Sequence, residues 1–261
     1  MMPAGFTGVE ATLWLWMVAM IRPGAAFLAA PIFSAPFVPV QLRLVIALAI
    51  GIPGLGAAQF HLPADGLASI DGVMLVAGEV MAGLAIGFAV QIGFSAALVG
   101  GELIGNTMGL GYAAMVDPTN GQSNPVLSQF LSIFGTLLFL SVGGHLALAT
   151  SIVESYRALP PGDAWLSAEA IRGLVYFGST LFAAGLSIAL PVGFSIVLVQ
   201  IVMGMLSRSA PQLNLFAVGF PAALLAGVVL MAIAAPLIGD SVLGAIRAGL
   251  DESRQLALGH G

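Results

Sequence analysis

Charged residues cut this sequence into long apolar runs. Residues 11–21 lie uncharged between Glu10 and Arg22. Residues 23–42 follow, carrying Pro23, Pro31, Pro36 and Pro39, and 44–60 make a third run. The stretch 72–116 holds only Glu79 and Glu102, and 118–144 is uncharged, with its apolar helical part beginning near Val126. Runs 173–207 and 209–239 complete the pattern. About 20 apolar residues cross a hydrocarbon core as a helix. The pattern therefore predicts five to seven apolar helices with short connections.

The run lengths are uneven. No proline falls between Pro63 and Pro118. A single helix from 73 to 115 would be over ~60 Å long, about twice the hydrocarbon thickness. Either it breaks, at Gly100-Gly101, or it is not a simple lipid-crossing helix. Run 173–207 is also too long for one untilted crossing, and Pro191 is expected to kink it. The polar connectors are 61–71, 117–125, 154–172 and 208–214. The longest contains Pro160-Pro161-Gly162-Asp163, a turn signal and the expected internal boundary. The tail after Asp251 is polar and expected to fray.

Within the longest run, Ala85, Ala89, Gly93, Ala97, Gly101, Gly105 and Gly109 recur every four residues. Small residues at this spacing let helix backbones approach closely. Each step drifts about 40° on a helix of 3.6 residues per turn, so the ridge winds around the axis and can meet more than one neighbour.

Composition changes the picture by exclusion. Of 261 residues, 59% are hydrophobic before 34 glycines are counted, and only 7% are charged. A soluble domain carries about 25% charge. Too few charges remain to cover a water-facing surface, and disorder needs the opposite composition. A polytopic membrane protein, or a subunit buried among equally apolar partners, fits. The basic residues are seven arginines, scattered singly. Without lysine there is no Walker A phosphate loop, and without a basic patch no nucleic-acid surface. No cysteine is present, which excludes disulfides, thiolate metal sites and a cysteine nucleophile. Residues 1–10 carry no Arg or Lys, so the first apolar stretch is expected to be retained rather than removed as a signal.

Catalytic chemistry is not visible. Gly109-Leu110-Gly111-Tyr112-Ala113-Ala114 has the GxGxxA form, but it follows helix rather than strand and is rejected as a dinucleotide site. His61, His145 and His260 lie far apart without acidic neighbours at ligand spacing, so neither a metal nor another cofactor is expected. Ionisable groups inside apolar helix are functional candidates. Glu102 is either a buried carboxylate bonded to backbone or a functional group. His145 is read as a helix-end histidine, with a proton relay as the alternative. Glu79 is read as a helix-end carboxylate at an interface, and Arg208 as a solvated loop arginine.

The segment 108–124 is unusual. It passes from small-residue helix through Tyr112, Met115 and Val116 into Asp117-Pro118 and then Thr119-Asn120-Gly121-Gln122-Ser123-Asn124. Asp-Pro and Asn-Gly end helices and make turns. Non-helical backbone between such apolar flanks is tolerated in water, in a cavity or within protein. It is either an exposed interhelical loop or a loop lining a conduit, sealed by soft Met and aromatic side chains.

These residues resemble the FliR/SctT family of type III secretion export-gate subunits. The likeness is carried by Arg22-Pro23 through Ala30-Pro31 and by Val38-Pro39 to Arg43. It continues in Gly101-Glu102-Leu103-Ile104-Gly105 with Met108-Gly109-Leu110 and Asp117-Pro118, and in Phe139-Leu140 with Gly144-His145. Arg208 with Ala210-Pro211-Gln212-Leu213-Asn214 and Gly219-Phe220-Pro221 complete it. The chain departs from the family pattern at Asn106-Thr107, where a Gln usually precedes the matched Met.

The resemblance implies an all-α, polytopic helical membrane protein whose long kinked helices and hairpins pack into a multi-subunit ring. It implies a FliP-like part over 1–160, a FliQ-like hairpin over 161–250 and a flexible tail over 251–261. The function implied is structural: a subunit of the core export gate of the flagellar type III secretion system, not an enzyme. Unfolded flagellar proteins would pass through the ring. FliP and FliQ would be neighbours, FlhB and FlhA contacts, and the flagellar basal body in the bacterial inner membrane the location. The loop 108–124 would plug the closed channel, with Met108, Tyr112, Met115, Asp117 and Pro118 as gate residues and Gly101, Gly105 and Gly109 packing the helix before it. Glu102, His145 and Arg208 are the further polar candidates. The competing class is a proton-coupled secondary transporter using Glu102 or His145, which would show repeated broken half-helices around a midplane site.

Overall fold

The computed structural model describes residues 7–56, 69–111, 126–209 and 219–259, all in helices and short turns. The helices are α1 (Thr7–Ala29), α2 (Val40–Gly56), α3 (Ile70–Thr107), α4 (Val126–Ser141), α5 (Gly144–Ala158), α6 (Ala168–Ser209) and α7 (Phe220–Ala257). Four of them, α1, α3, α6 and α7, are long and apolar enough to cross a membrane, or five if the bent pair α4–α5 counts as one span.

Helix α3 runs 38 residues without a break. The break expected at Gly100-Gly101 is not observed: the helix runs through both and ends at Thr107. Gly100-Gly101 lies inside it because both glycines are supported by neighbours: Ile188 packs over Gly100, and the Leu127–Ser128 backbone over Gly101. At its start the Ser69 hydroxyl accepts the Gly72 N–H at 3.1 Å, a cap that satisfies one orphan donor. Asp71 in the first turn adds a favourable charge at the positive end of the helix.

The expected turn at 160–163 is present. Gly162 has φ 102, and the Asp163 N–H donates to the Pro160 carbonyl at 3.0 Å. The Ser167 hydroxyl then caps α6 by accepting the Ala170 N–H at 2.9 Å. Helix α6 continues 42 residues with Pro191 inside it. Arg208 lies in its last turn and is exposed. That corrects its reading as a loop residue: the helix extends past it, and a cation there complements the negative helix end.

The chain forms two compact units. The first comprises Met1–Gly93, Leu140–Gly178 and Arg247–Gly261; the second, Phe94–Phe139 and Ser179–Ile246. The connector 154–172 lies within the first unit, where Leu159 and Ala164 are buried with Ala82.

In the first unit, α3 presents two rows of small residues. Gly83 and Gly87 face α1, so close that a Cβ on either would overlap a backbone carbonyl, of Arg22 or of Ala26. Ala85 and Ala89 face Ala170 and Leu256 instead. Gly249 of α7 meets Ala89 and Gly93, where an added Cβ would lie 3.0 Å from the Ala89 oxygen. In the second unit the winding row continues: Ala97 lies near Gly135, and Gly101 meets α4. The expectation that this ridge serves several neighbours in turn is met over its first five positions.

Candidate functional site

The root of the 108–124 segment lies in the second unit. Helix α3 ends there by a glycine-terminated cap. Gly109 has φ 81, a left-handed conformation that favours glycine. The Leu110 N–H reaches back to the Gly105 carbonyl at 3.0 Å, and the Gly109 N–H to Asn106 at 3.0 Å. This is a Schellman motif, with Gly109 just past the helix end.

The surroundings of the expected packing glycines differ. Gly101 alone packs backbone to backbone: a Cβ there would sit 2.6 Å from Ser128 Cα. Around Gly105 the nearest atoms to an added Cβ are 4.0 Å away. Gly109 has a φ that favours glycine whatever lies beside it.

Next to the cap, Thr107 and Met108 have partners. The Thr107 hydroxyl donates to the Ile104 carbonyl at 2.8 Å. The Thr107 carbonyl accepts the Gln200 amide of α6 at 2.8 Å. Met108 is 2% exposed, and its side chain lies along Gly227 of α7. A Cβ at 227 would fall 2.8 Å from both Cγ and Sδ of Met108, so the missing side chain is what makes room. Burying a methionine of this kind contributes roughly 1.5–3 kcal/mol. Tyr112, Met115, Asp117 and Pro118 lie outside the described residues.

The other polar candidates divide. Glu102 is exposed on this chain. His145 is the second residue of α5, after Gly143 at φ 70. Its Nδ1 is buried without a hydrogen-bond partner among the described residues.

The buried carboxylate of α3 is Glu79, in the first unit. Its reading as an interface group is overturned: Glu79 and Arg22 are both fully buried and form a bidentate pair. Arg22 Nε donates to Oε2 at 2.9 Å and Nη2 to Oε1 at 2.7 Å. Nη1 donates to the Ser155 hydroxyl at 2.9 Å, and Nη2 also to the Leu159 carbonyl at 2.8 Å. The guanidinium carbon stands 4.2 Å from the centroid of the Tyr156 ring. Helices α1, α3 and α5 thus meet on one arginine. A buried pair is tolerable only when its remaining donors find partners, and four of the five guanidinium N–H groups have acceptors here. Helix α2 closes the cluster with Gly51 on the Ala19 backbone and Gly54 on the Tyr156 ring. Sequence reading missed this network because its members are separated by 57 and 133 residues. The available signal was Glu79 in register with Gly83 and Gly87, a carboxylate on a face built for close approach.

Comparison with known proteins bears on the family. The family described as "Bacterial export proteins, family 1" matches residues 13–249. The flagellar biosynthetic protein FliR of Escherichia coli (strain K12) is 36% identical over 228 residues, covering 87% of this chain and 85% of that protein. FliR of Pectobacterium carotovorum subsp. carotovorum is 34% identical over 227 residues, 85% and 86% of the two chains. The surface presentation of antigens protein SpaR of Shigella flexneri is 28% identical over 201 residues, 75% and 77% of the two chains.

Proposed function

This chain belongs to the bacterial export proteins, family 1, and from that membership we propose that it forms part of the wall and the closing plug of the core gate for flagellar protein export. At the coarser level it is a membrane-embedded subunit of a type III secretion export apparatus, as its likeness to FliR and SpaR indicates. The finer reading rests on one structural observation. The most apolar stretches of α6 and α7 are only 28% and 17% buried within the chain. Phe182, Phe194, Ile201 and Met205 of α6 and Leu225 and Ile233 of α7 are among the large side chains left uncovered. So much apolar surface must be covered by lipid or by equally apolar partners.

In this reading the covering partners are FliP and FliQ subunits in a ring, with FlhB and FlhA beside it, in the inner membrane at the basal body. Residues 1–160 act as a FliP-like part and 161–250 as a FliQ-like hairpin. The loop 108–124 closes the path of unfolded substrates, with Tyr112, Met115, Asp117 and Pro118 at its seal. The protein's contribution is structural rather than catalytic. The transporter alternative, with Glu102 or His145 as coupling site, is disfavoured because the family and the similar proteins are export proteins.

Co-purification of the tagged chain with candidate gate subunits, followed by stoichiometry measurement, tests the proposal. A fixed complex is expected. A well-behaved detergent monomer with solute transport activity would overturn it.

A further inference from the structure

We propose that Gln200 and Gly227 are positioning residues that latch the root of the loop in the closed state, so that opening requires the end of α3 to detach from α6 and α7. The inference rests on the plug reading and adds the elements that hold the plug. Three observations from one compact unit carry it. The Gln200 amide donates to the Thr107 carbonyl at 2.8 Å, across 93 residues of sequence. Thr107 also lies over Gly193 of α6, where an added Cβ would be 3.6 Å from its hydroxyl oxygen. Gly193 and Gln200 are seven residues apart, on one helix face. Met108, the next residue, is buried along Gly227 of α7.

The contacts differ in kind, and that is what makes a latch. Gln200 is not enclosed by this chain, so its hydrogen bond to Thr107 breaks and re-forms without opening a cavity within it. Met108 is seated in a slot that exists only because residue 227 has no side chain. Its flexible thioether can leave and return without distorting backbone. The polar bond sets the position of the helix end and the apolar slot holds it there. Gly109 follows immediately in its left-handed conformation, so the two contacts sit directly before the end of the helix.

The test uses the full chain assembled with the other gate subunits in cells, with leak normalised to assembled complex. Gln200→Glu keeps the shape and removes the donor; Gln200→Lys restores a donor. Losing one such hydrogen bond shifts a closed-to-open ratio about tenfold. Gln200→Glu is therefore expected to raise ion leak by about that factor, with Gln200→Lys close to wild type. Assembled Gln200→Glu gates as tight as wild type would overturn the proposal.

A second arm applies if that variant fails to assemble. The chain has no cysteine, so the pair Met108→Cys with Gly227→Cys is unambiguous. An added Cβ at 227 lies 2.8 Å from Met108 Cγ, the place a cysteine sulfur would take. Under an added thiol oxidant the crosslinked pair should stop export, and a reductant should restore it. Export continuing through a fully crosslinked population would overturn the latch. Tyr112→Gly with Met115→Gly separates the two ideas. If that variant leaks and the latch variants do not, the latch alone falls; if it does not leak, the plug reading falls and the latch with it.

Discussion

The hydroxyl of Tyr156 donates to the carbonyl of Ala19 at 3.0 Å. That carbonyl would ordinarily accept the N–H of residue 23, but residue 23 is a proline inside α1 and has none. A side chain from 137 residues away completes the helix ladder. Tyr156→Phe should therefore leave a buried acceptor unpaired and lower stability by about 1–3 kcal/mol. Adding Pro23→Ala restores the N–H and should recover most of the loss. Thermal unfolding of the purified complex measures both, and simple additivity of the two substitutions would show that the acceptor is not shared.

The Arg22–Glu79 pair makes a prediction of the opposite kind. Arg22→Met or Glu79→Leu alone strands a buried charge and should cost about 3–5 kcal/mol. The double substitution removes both charges and should be milder than either single change. A double variant as unstable as the sum of the singles would mean that Ser155 and Leu159, rather than Glu79, fix the arginine.

Glycines in α3 and α6 give a matched comparison. At Gly83 a Cβ would overlap the Arg22 carbonyl oxygen and lie 2.8 Å from the Ala25 methyl, so α1 and α3 must separate. Gly83→Ala should destabilise by about 1–3 kcal/mol. At Gly173 nothing lies within 4 Å, and Gly173→Ala should stabilise α6 by roughly 0.5–1 kcal/mol. Equal effects at the two positions would falsify the close-approach account.

At the end of α3, Gly109→Ala places a side chain at φ 81 and should cost about 1–2 kcal/mol. Gly109→Asn should cost less, since asparagine tolerates that conformation better. Limited proteolysis of the assembled complex should show faster cleavage after residue 109 in the alanine variant than in the asparagine variant. The reverse order would argue that packing, not conformation, requires glycine here.

Much of this fold was legible in sequence because it depends on local properties. The long apolar runs, the turn at Pro160–Asp163 and the winding ridge of small residues in α3 all follow from spacing and residue type. The end of α3 was half legible. Gly109 was visible as a small residue, yet its place after the last helical turn is the better guide to its role. What stayed hidden depends on pairing across the chain. Arg22 and Glu79 each look like the border of an apolar run. Only their meeting in space cancels the two charges and lets both helices continue through them. The same holds for Glu102, which spacing puts inside an apolar helix and the structure puts on its outer side. Gln200, one polar residue in a long apolar helix, had no sequence sign of its partner at Thr107.

The three-helix arginine cluster is completed stepwise during synthesis. Arg22 leaves the ribosome with α1, 57 residues before Glu79 and 133 before Ser155. An unpaired arginine at mid-membrane is unfavourable by about 2.5–3.5 kcal/mol on insertion scales. Until α3 arrives, α1 must wait in water, at the headgroups or against the insertion machinery. Only when α5 follows does the guanidinium gain its last donors' partners and the Ala19 carbonyl its proton. Helix α1 is thus among the last helices of the cluster to be locked, and a ribosome stalled before α3 would display an unfinished chain whose Arg22 charge has no carboxylate beside it.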